Sequence, residues 1–290
     1  MIYTVKGDGY TAVCSDRGGE LISLTSENGV EYIWNGDAKY WSGQSPHLFP
    51  VVCSPLNGRV TYDGREYLMP KHGFVRGAQF RAVELAPDFV TFENSWSNET
   101  LKHFPYKYKL RITHRIIPYG FTTDYSVSGD DGMTFCLGGH PGFMCPHPRG
   151  GTFEDYQIRF HNADGAVISL TKNGYMDPSV PRVTSRLENG VLPMKYHYFD
   201  NDAMIIENLP VKKLDLVSSA DGHGIRFSFE GFEALGIWTP EKKCAPFVCL
   251  EPWRGLPADV NESGDAKDKK YAVTLNKGDV FKASYTVRII

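Results

Sequence analysis

The chain has 290 residues, 41% of them hydrophobic and 22% charged, with a formal net charge of −3 and a pI near 6.3. This composition excludes a disordered chain and leaves ample apolar material for a core. It gives no support to nucleic-acid binding, which needs a basic stripe; the densest basic stretch, Lys267-Asp-Lys-Lys270, is mixed.

The N-terminal Met-Ile-Tyr-Thr-Val-Lys-Gly-Asp-Gly lacks the basic head and apolar run of a signal peptide. No stretch approaches the roughly 18 apolar residues that cross a bilayer. The expectation is a cytoplasmic protein without membrane contact, either a monomer or a homodimer.

Along the chain, period-two alternation dominates. Tyr62-Asp-Gly64 predicts a tight turn, and Val90-Thr-Phe-Glu-Asn-Ser-Trp96 a strand. In Tyr108–Ile116 the residues Tyr108, Leu110, Ile112 and Ile116 fall on one face and Lys109, Arg111 and Arg115 on the other, the pattern of a half-buried antiparallel strand. Further turns are expected at Asp130-Asp-Gly132, Asn189-Gly190 and Ala220-Asp-Gly222, while Asn201 to Asn208 is too short to assign. Near the end, Tyr271-Ala-Val-Thr-Leu275 reads as a strand turned by Asn276-Lys-Gly-Asp279 into a partner. In that partner Phe281, Ala283, Tyr285, Val287 and Ile289 alternate with polar residues. With 29 glycines, 18 prolines, no sustained helical period and no linker, residues 1–290 read as one all-β domain, a large antiparallel β-sandwich.

The six cysteines are scattered without a Cys-x-x-Cys, which favours buried free thiols, although three disulfides are possible by count. No His-x-x-x-His occurs either, so no protein-bound metal is expected.

Chemistry concentrates on Glu251 in Phe247-Val-Cys-Leu-Glu-Pro-Trp253, His72 in His-Gly-Phe-Val-Arg76 and His140 in Leu-Gly-Gly-His-Pro-Gly-Phe143. A carboxylate can take a hydroxyl proton, and an imidazole titrates near neutrality and can supply one. Glu251 shares its strand face with Phe247 and Cys249, while Val248 and Leu250 point the other way. Pro252-Trp253 should end the strand and set an aromatic wall beside a partly desolvated carboxyl of raised pKa. The plain alternatives stay open at this point: an ion-paired carboxylate at a strand end, and turn histidines satisfied by backbone carbonyls. Gly73 serves a turn as well as it serves a close approach. His47, His103, His147 and His223 have no comparable surroundings.

Gly138-Gly-His-Pro141, His72-Gly-Phe74 and Cys249-Leu-Glu-Pro-Trp253 resemble the motifs of the aldose 1-epimerase (galactose mutarotase) superfamily, and the chain is most similar to its LacX-like branch. The likeness runs from Arg17-Gly-Gly-Glu-Leu-Ile-Ser-Leu24 through Tyr40-Trp41 and Leu48-Phe-Pro50 to the last strand. The resemblance implies a many-stranded β-supersandwich and cofactor-free interconversion of sugar anomers. It implies Glu251 as general base, His140 as general acid and His72 as a sugar-binding histidine that assists at the ring oxygen.

Asp202 matches, on a looser motif, an aspartate that grips sugar hydroxyls. Trp253, Phe74, Phe143 and Tyr40 or Trp41 are candidate aromatic faces for a sugar, with core packing as the alternative for each. Arg76 matches a position where relatives acting on sugar phosphates carry basic side chains, and Arg59 is the nearest other candidate, so the expected partner is a monosaccharide, free or phosphorylated. The sequence departs from the family at Ser54, where mutarotases usually carry an arginine. Two other readings stand beside the epimerase: a sugar-binding protein without turnover, and a glycosidase or lyase. A glycosidase would need a second carboxylate from Asp202, Glu207 or Glu233, about 5–10 Å from Glu251.

Overall fold

The computed structural model describes residues 1–147 and 150–290. Its helical turns are short 3₁₀ segments, and its body is two large antiparallel sheets. One has nine strands in the order Val191–Pro193, Tyr156–Phe160, Lys213–Ser218, Gly224–Glu230, Val280–Ile289, Gly120–Gly129, Tyr108–Ile117, Phe89–Ser95 and Arg81–Leu85. The other runs Tyr175–Met176, Val167–Lys172, Met204–Glu207, Ala234–Trp238, Phe247–Arg254, Leu137–Gly139 and His47–Leu48, with Gly142–Met144 also paired to Phe247–Arg254. Ile2–Gly7, Tyr10–Ser15 and Glu20–Ser26 make a three-stranded sheet beside them. No helix among the described residues is long and apolar enough to cross a membrane.

Alternation decides what lies between the sheets. Tyr108, Leu110, Ile112 and Ile116 are buried, as are Ala283, Tyr285 and Val287 of the last strand. They share a core with Leu235, Ile237, Val248 and Leu250 of the second sheet. Full burial of such side chains contributes about 1.5–3 kcal/mol each before the entropy of ordering them is set against it. The Asp-Gly turn forms as expected: Asp63 and Gly64 both take positive φ, 48° and 77°, and join Arg59–Tyr62 to Arg65–Leu68.

One local expectation is corrected. Residues 271–275 form no hairpin with the last strand; Val273–Thr274 instead pairs with Thr134–Phe135. Val280–Ile289 is already bonded to Gly120–Gly129 on one side and Gly224–Glu230 on the other, so it has no free edge to offer. The unassigned stretch near 201–208 contains the strand Met204–Glu207, buried at every position.

His47, set apart in the sequence from the candidate histidines, meets a second buried histidine, His114. Both lie in the core, and both Nε2 atoms donate to the one carbonyl of Gly19, at 3.0 and 2.8 Å. Their Nδ1 atoms accept from Tyr125 Oη at 2.8 Å and Thr123 Oγ1 at 3.0 Å, which completes the bonding of two neutral rings. Burial pushes the His47 imidazole down to about 3 and the His114 imidazole down to about 4.

From pH 6.5 down toward 4, the unfolded chain binds protons that these rings refuse in the folded state. The stability they contribute is therefore full above pH 6.5 and is lost on acidification, at about 1.4 kcal/mol per pH unit for each net proton. His72 and His140 are also lowered by burial and add to the loss, whereas the raised Glu20 and Glu251 carboxyls oppose it. Urea-denaturation midpoints should fall from about pH 7 to about pH 5. A constant or rising midpoint over that window would contradict the buried neutral pair.

Candidate active site

Strand Phe247–Arg254 is buried at every residue but the last, and its two faces have different fates. Val248 and Leu250 enter the core between the sheets, while Cys249, Glu251 and Trp253 point to the opposite face of the second sheet. Glu251 sits opposite Gly236 in the ladder, and a Cβ at Gly236 would come within 2.5 Å of the Trp253 ring. The indole thus lies where only glycine leaves room for it.

Pro252-Trp253 does not end the strand, which continues to Arg254. Leu250 donates to Pro141 O at 3.2 Å, so the amide position two residues on, Pro252, faces the same side. There the neighbouring chain runs on in one register from Leu137–Gly139 through His140-Pro141 to Gly142–Met144, a straight stretch and not the expected turn, and Pro252, lacking an N–H, donates no bond to it.

That stretch delivers His140. Its backbone N–H donates to Pro46 O at 2.9 Å, and its ring stacks on Trp41 with centroids 4.9 Å apart and meets Trp238 edge-on at 5.5 Å. Nε2 of His140 lies 3.3 Å from Glu251 Oε2. His140 Nδ1 and Glu251 Oε2 have no hydrogen-bond partner, although the two residues are only 6% and 2% exposed.

His72 is fixed by reciprocity. Its N–H donates to Cys53 O at 2.9 Å, and the Cys53 N–H donates to His72 Nδ1 at 3.1 Å. A backbone amide can only donate, so Nδ1 is the acceptor nitrogen and the neutral ring carries its proton on Nε2. His72 and Cys53 both hold positive φ, 66° and 57°, as does Asp202 at 75°. Strained non-glycine backbone of this kind persists where the surroundings over-determine it. Gly73 resolves to a close approach: a Cβ there would stand 2.0 Å from Phe49 O.

The structure gathers Glu251, His140, His72, Asp202, Arg76, Trp253 and Trp41 around one cavity of about 160 Å³. Arg59 is elsewhere: it starts the strand Arg59–Tyr62 of a separate hairpin, exposed and paired with Glu66 at 3.4 Å. Phe74 packs on Phe49, Phe104 and Tyr108, and Phe143 on Phe227, so both serve the core. Of the second carboxylates considered, Glu207 is held by Lys270 and Tyr271 and Glu233 by Arg254, which leaves Asp202 alone beside Glu251 in the cavity.

Cavity residues that sequence reasoning missed are Lys71, Trp238, Thr171 and Cys53. Trp238 faces Cys249 across the ladder, a register invisible in the sequence. Lys71 had one available signal, its adjacency to His72. Neither Lys71 nor Arg76 makes a hydrogen bond or ion pair with the described residues, and both are exposed.

Burial raises the Glu251 carboxyl well above its ordinary value, Asp202 adds to this, and Lys71 and Arg76 work against it. Burial likewise drives His140 well below the usual imidazole range, helped by His72 and Arg76, and lowers His72 to about 3. At neutral pH the low-dielectric site therefore favours the uncharged forms, and Glu251 and His140 titrate as a pair. Among the described residues, one group could hold a metal ion: donor atoms of His140, Cys249 and Glu251 lie within 4.8 Å of one another. Burial keeps the Cys249 thiol protonated, which a metal would first have to reverse.

Comparison with known proteins identifies the family. The family profile described as aldose 1-epimerase matches residues 1–288. The plasmid and chromosomal LacX proteins of Lactococcus lactis subsp. lactis are each 31% identical over 301 residues, covering all of both chains. A galactose mutarotase related enzyme from Lactobacillus acidophilus superposes with a TM-score of 0.92 at 27% identity, covering 100% of this chain and 97% of that one. A galactose mutarotase-like protein from Lactobacillus casei ATCC 334 gives 0.92 at 28% identity, covering both chains fully. The chain belongs to the aldose 1-epimerase family.

Proposed function

We propose that this protein interconverts the α and β anomers of an aldose by acid–base ring opening. The observation that carries the reading is a buried carboxylate and a buried imidazole 3.3 Å apart in one cavity, with a second imidazole whose tautomer presents an N–H. Glu251 takes the proton of the anomeric hydroxyl while His140 protonates the ring oxygen and His72 Nε2–H steadies the sugar. The aldehyde rotates about C1–C2, closes on its other face, and the proton transfers reverse. Each transfer group contributes about 10²–10⁴-fold, and no cofactor enters.

The charge balance supports this division. The reaction needs the pair in its Glu251 carboxylate, His140 imidazolium form, whereas burial alone favours the neutral one. Lys71 and Arg76 favour the carboxylate, and sugar hydroxyls donating to Oε2 would favour it further. A second reading, sugar binding without turnover, draws support from Ser54 standing where family members usually carry arginine. One experiment separates the two: exchange NMR on aldoses detects anomer interconversion directly.

Glu251→Gln should lower turnover at least about 10²-fold with fold and sugar binding intact, since the amide keeps the shape and cannot take the proton. Exchange within about threefold of wild type would remove Glu251 from the role of base. His140→Asn should reduce kcat more than affinity and His72→Asn both, and the wild-type pH–rate profile should show two limbs belonging to the pair. Equal losses confined to KM in both variants would contradict these roles.

A phosphorylated sugar is the finer alternative for substrate. Arg76 and Lys71 both line the cavity without an internal partner, and a guanidinium fork suits a phosphate dianion better than a hydroxyl. Glucose and galactose should be compared with their 6-phosphates in wild type, Arg76→Ala and Lys71→Ala. A phosphate held there would give wild type a preference for the 6-phosphates that both variants lose, and equal use of both forms by wild type would exclude it.

A further inference from the structure

Glu251 and His140 have a third neighbour that the epimerase reading leaves idle. Gly138 pairs with Trp253 and Gly142 with Cys249, so the register shared by the two pairs sets His140 opposite Glu251. Cys249 lies two residues before Glu251 on the same strand and points to the same side of the sheet. An opposed pair and its diagonal neighbour can touch across a ladder. One thiol, one imidazole and one carboxylate therefore share a face, with a donor atom of each within 4.8 Å of the others.

The three groups are buried and unengaged. Cys249 is fully buried, and its thiol makes no hydrogen bond with the described residues. Glu251 Oε2 is without a hydrogen-bond partner and stands 3.3 Å from His140 Nε2. Ligands on one tetrahedral zinc ion, bonded at about 2.0–2.3 Å, are about 3.3–3.6 Å from each other. The imidazole–carboxylate pair already has that spacing, and the sulfur reaches it by a movement of about 1 Å. His140 and Glu251 line the cavity, which gives an ion its path in.

Ligand chemistry and charge select the ion. Thiolate beside imidazole is a soft set that suits zinc and cadmium, whereas magnesium and calcium call for oxygen ligands. Burial favours the protonated Cys249 thiol, the protonated Glu251 carboxyl and the neutral His140 ring. On binding, the S–H and O–H bonds break, bonds form from Sγ, the carboxylate oxygen and the ring nitrogen to the ion, and two protons leave to solvent. A dication thus replaces two protons, so the group stays uncharged in its low-dielectric surroundings, and no electron changes hands. Lys71 and Arg76 line the same cavity, and the neutral complex has no net charge to repel them.

We propose that Cys249, His140 and Glu251 form an inhibitory site for a thiophilic divalent cation, with zinc as the best fit. The ion is not a cofactor. It occupies the carboxylate and the imidazole that move the protons, so it competes with the sugar and stops turnover. That effect rests on the epimerase reading above, whereas the binding itself does not. The ligands come from two stretches far apart in the chain, so no spacing motif announces them.

The test uses the intact protein, with zinc chloride and cadmium chloride as probes and magnesium chloride as the control. Binding is followed by calorimetry and by cadmium–thiolate absorbance, and turnover by exchange NMR on glucose and galactose. Wild type should show a thiolate signal with cadmium. Zinc should slow its exchange about tenfold or more, reversibly with EDTA and less at high sugar, while magnesium changes it less than about twofold. Cys249→Ser and Glu251→Gln should each weaken cadmium binding about tenfold or more, since even groups that only orient a ligand are worth about 10–100-fold in metal affinity. Cys53→Ser and Cys244→Ser should bind cadmium as wild type does. A signal that follows Cys53 or Cys244, no binding by wild type, or zinc inhibition that sugar leaves unrelieved would overturn the site. Should Cys249→Ser not fold, Glu251→Gln decides by the same binding readout. If wild type exchanges no sugar at all, the epimerase reading fails by itself and cadmium binding alone judges the site.

Discussion

A β-strand has two faces, and the site of this protein depends on one strand being buried on both. Val248 and Leu250 fix Phe247–Arg254 against the core, and the alternate residues Cys249, Glu251 and Trp253 inherit that rigidity on the side facing the cavity. A register slip of one residue would bury the carboxylate between the sheets and turn leucine to the cavity, so the packing that stabilises the fold also fixes the Glu251 carboxyl. The strand alongside must then be glycine opposite Glu251, since any larger residue would displace the Trp253 ring.

The same burial sets the electrostatics. Removing Glu251 and His140 from water disfavours charge on either; Asp202 raises the Glu251 carboxyl further, and Lys71 and Arg76 work against that rise. A site poised in this way responds to a bound hydroxyl more than an exposed pair would, because the incoming hydrogen bonds act in a low dielectric. Trp41, stacked on the His140 ring, contributes to that dielectric as well as to the shape.

Much of this was legible in the sequence because it is local. Alternation in Tyr108–Ile117 and in the last strand, the Asp63-Gly64 turn, and the opposed faces of the Glu251 strand follow from period two and glycine stereochemistry, and the structure has them. The resemblance named Glu251, His140, His72, Asp202 and Arg76, and the structure brings those five together. What escaped is non-local. The pairing of Val273–Thr274 with Thr134–Phe135, the seating of Trp238 across from Cys249, and the two histidines sharing the Gly19 carbonyl all depend on which strands meet. Arg59 was misplaced for the same reason: its strand belongs to a separate hairpin.

The His47–Gly19–His114 junction has one more consequence. Leu48 and His47 pair with Gly138 and Gly139, immediately before His140, while His114 belongs to the other large sheet and Gly19 to the turn before the third strand. One carbonyl oxygen thus joins three sheets at a point one residue from His140. Mechanically it acts as a keystone: in a close-packed interior that transmits strain, a displacement of any one sheet is shared with the other two and with the segment that carries His140.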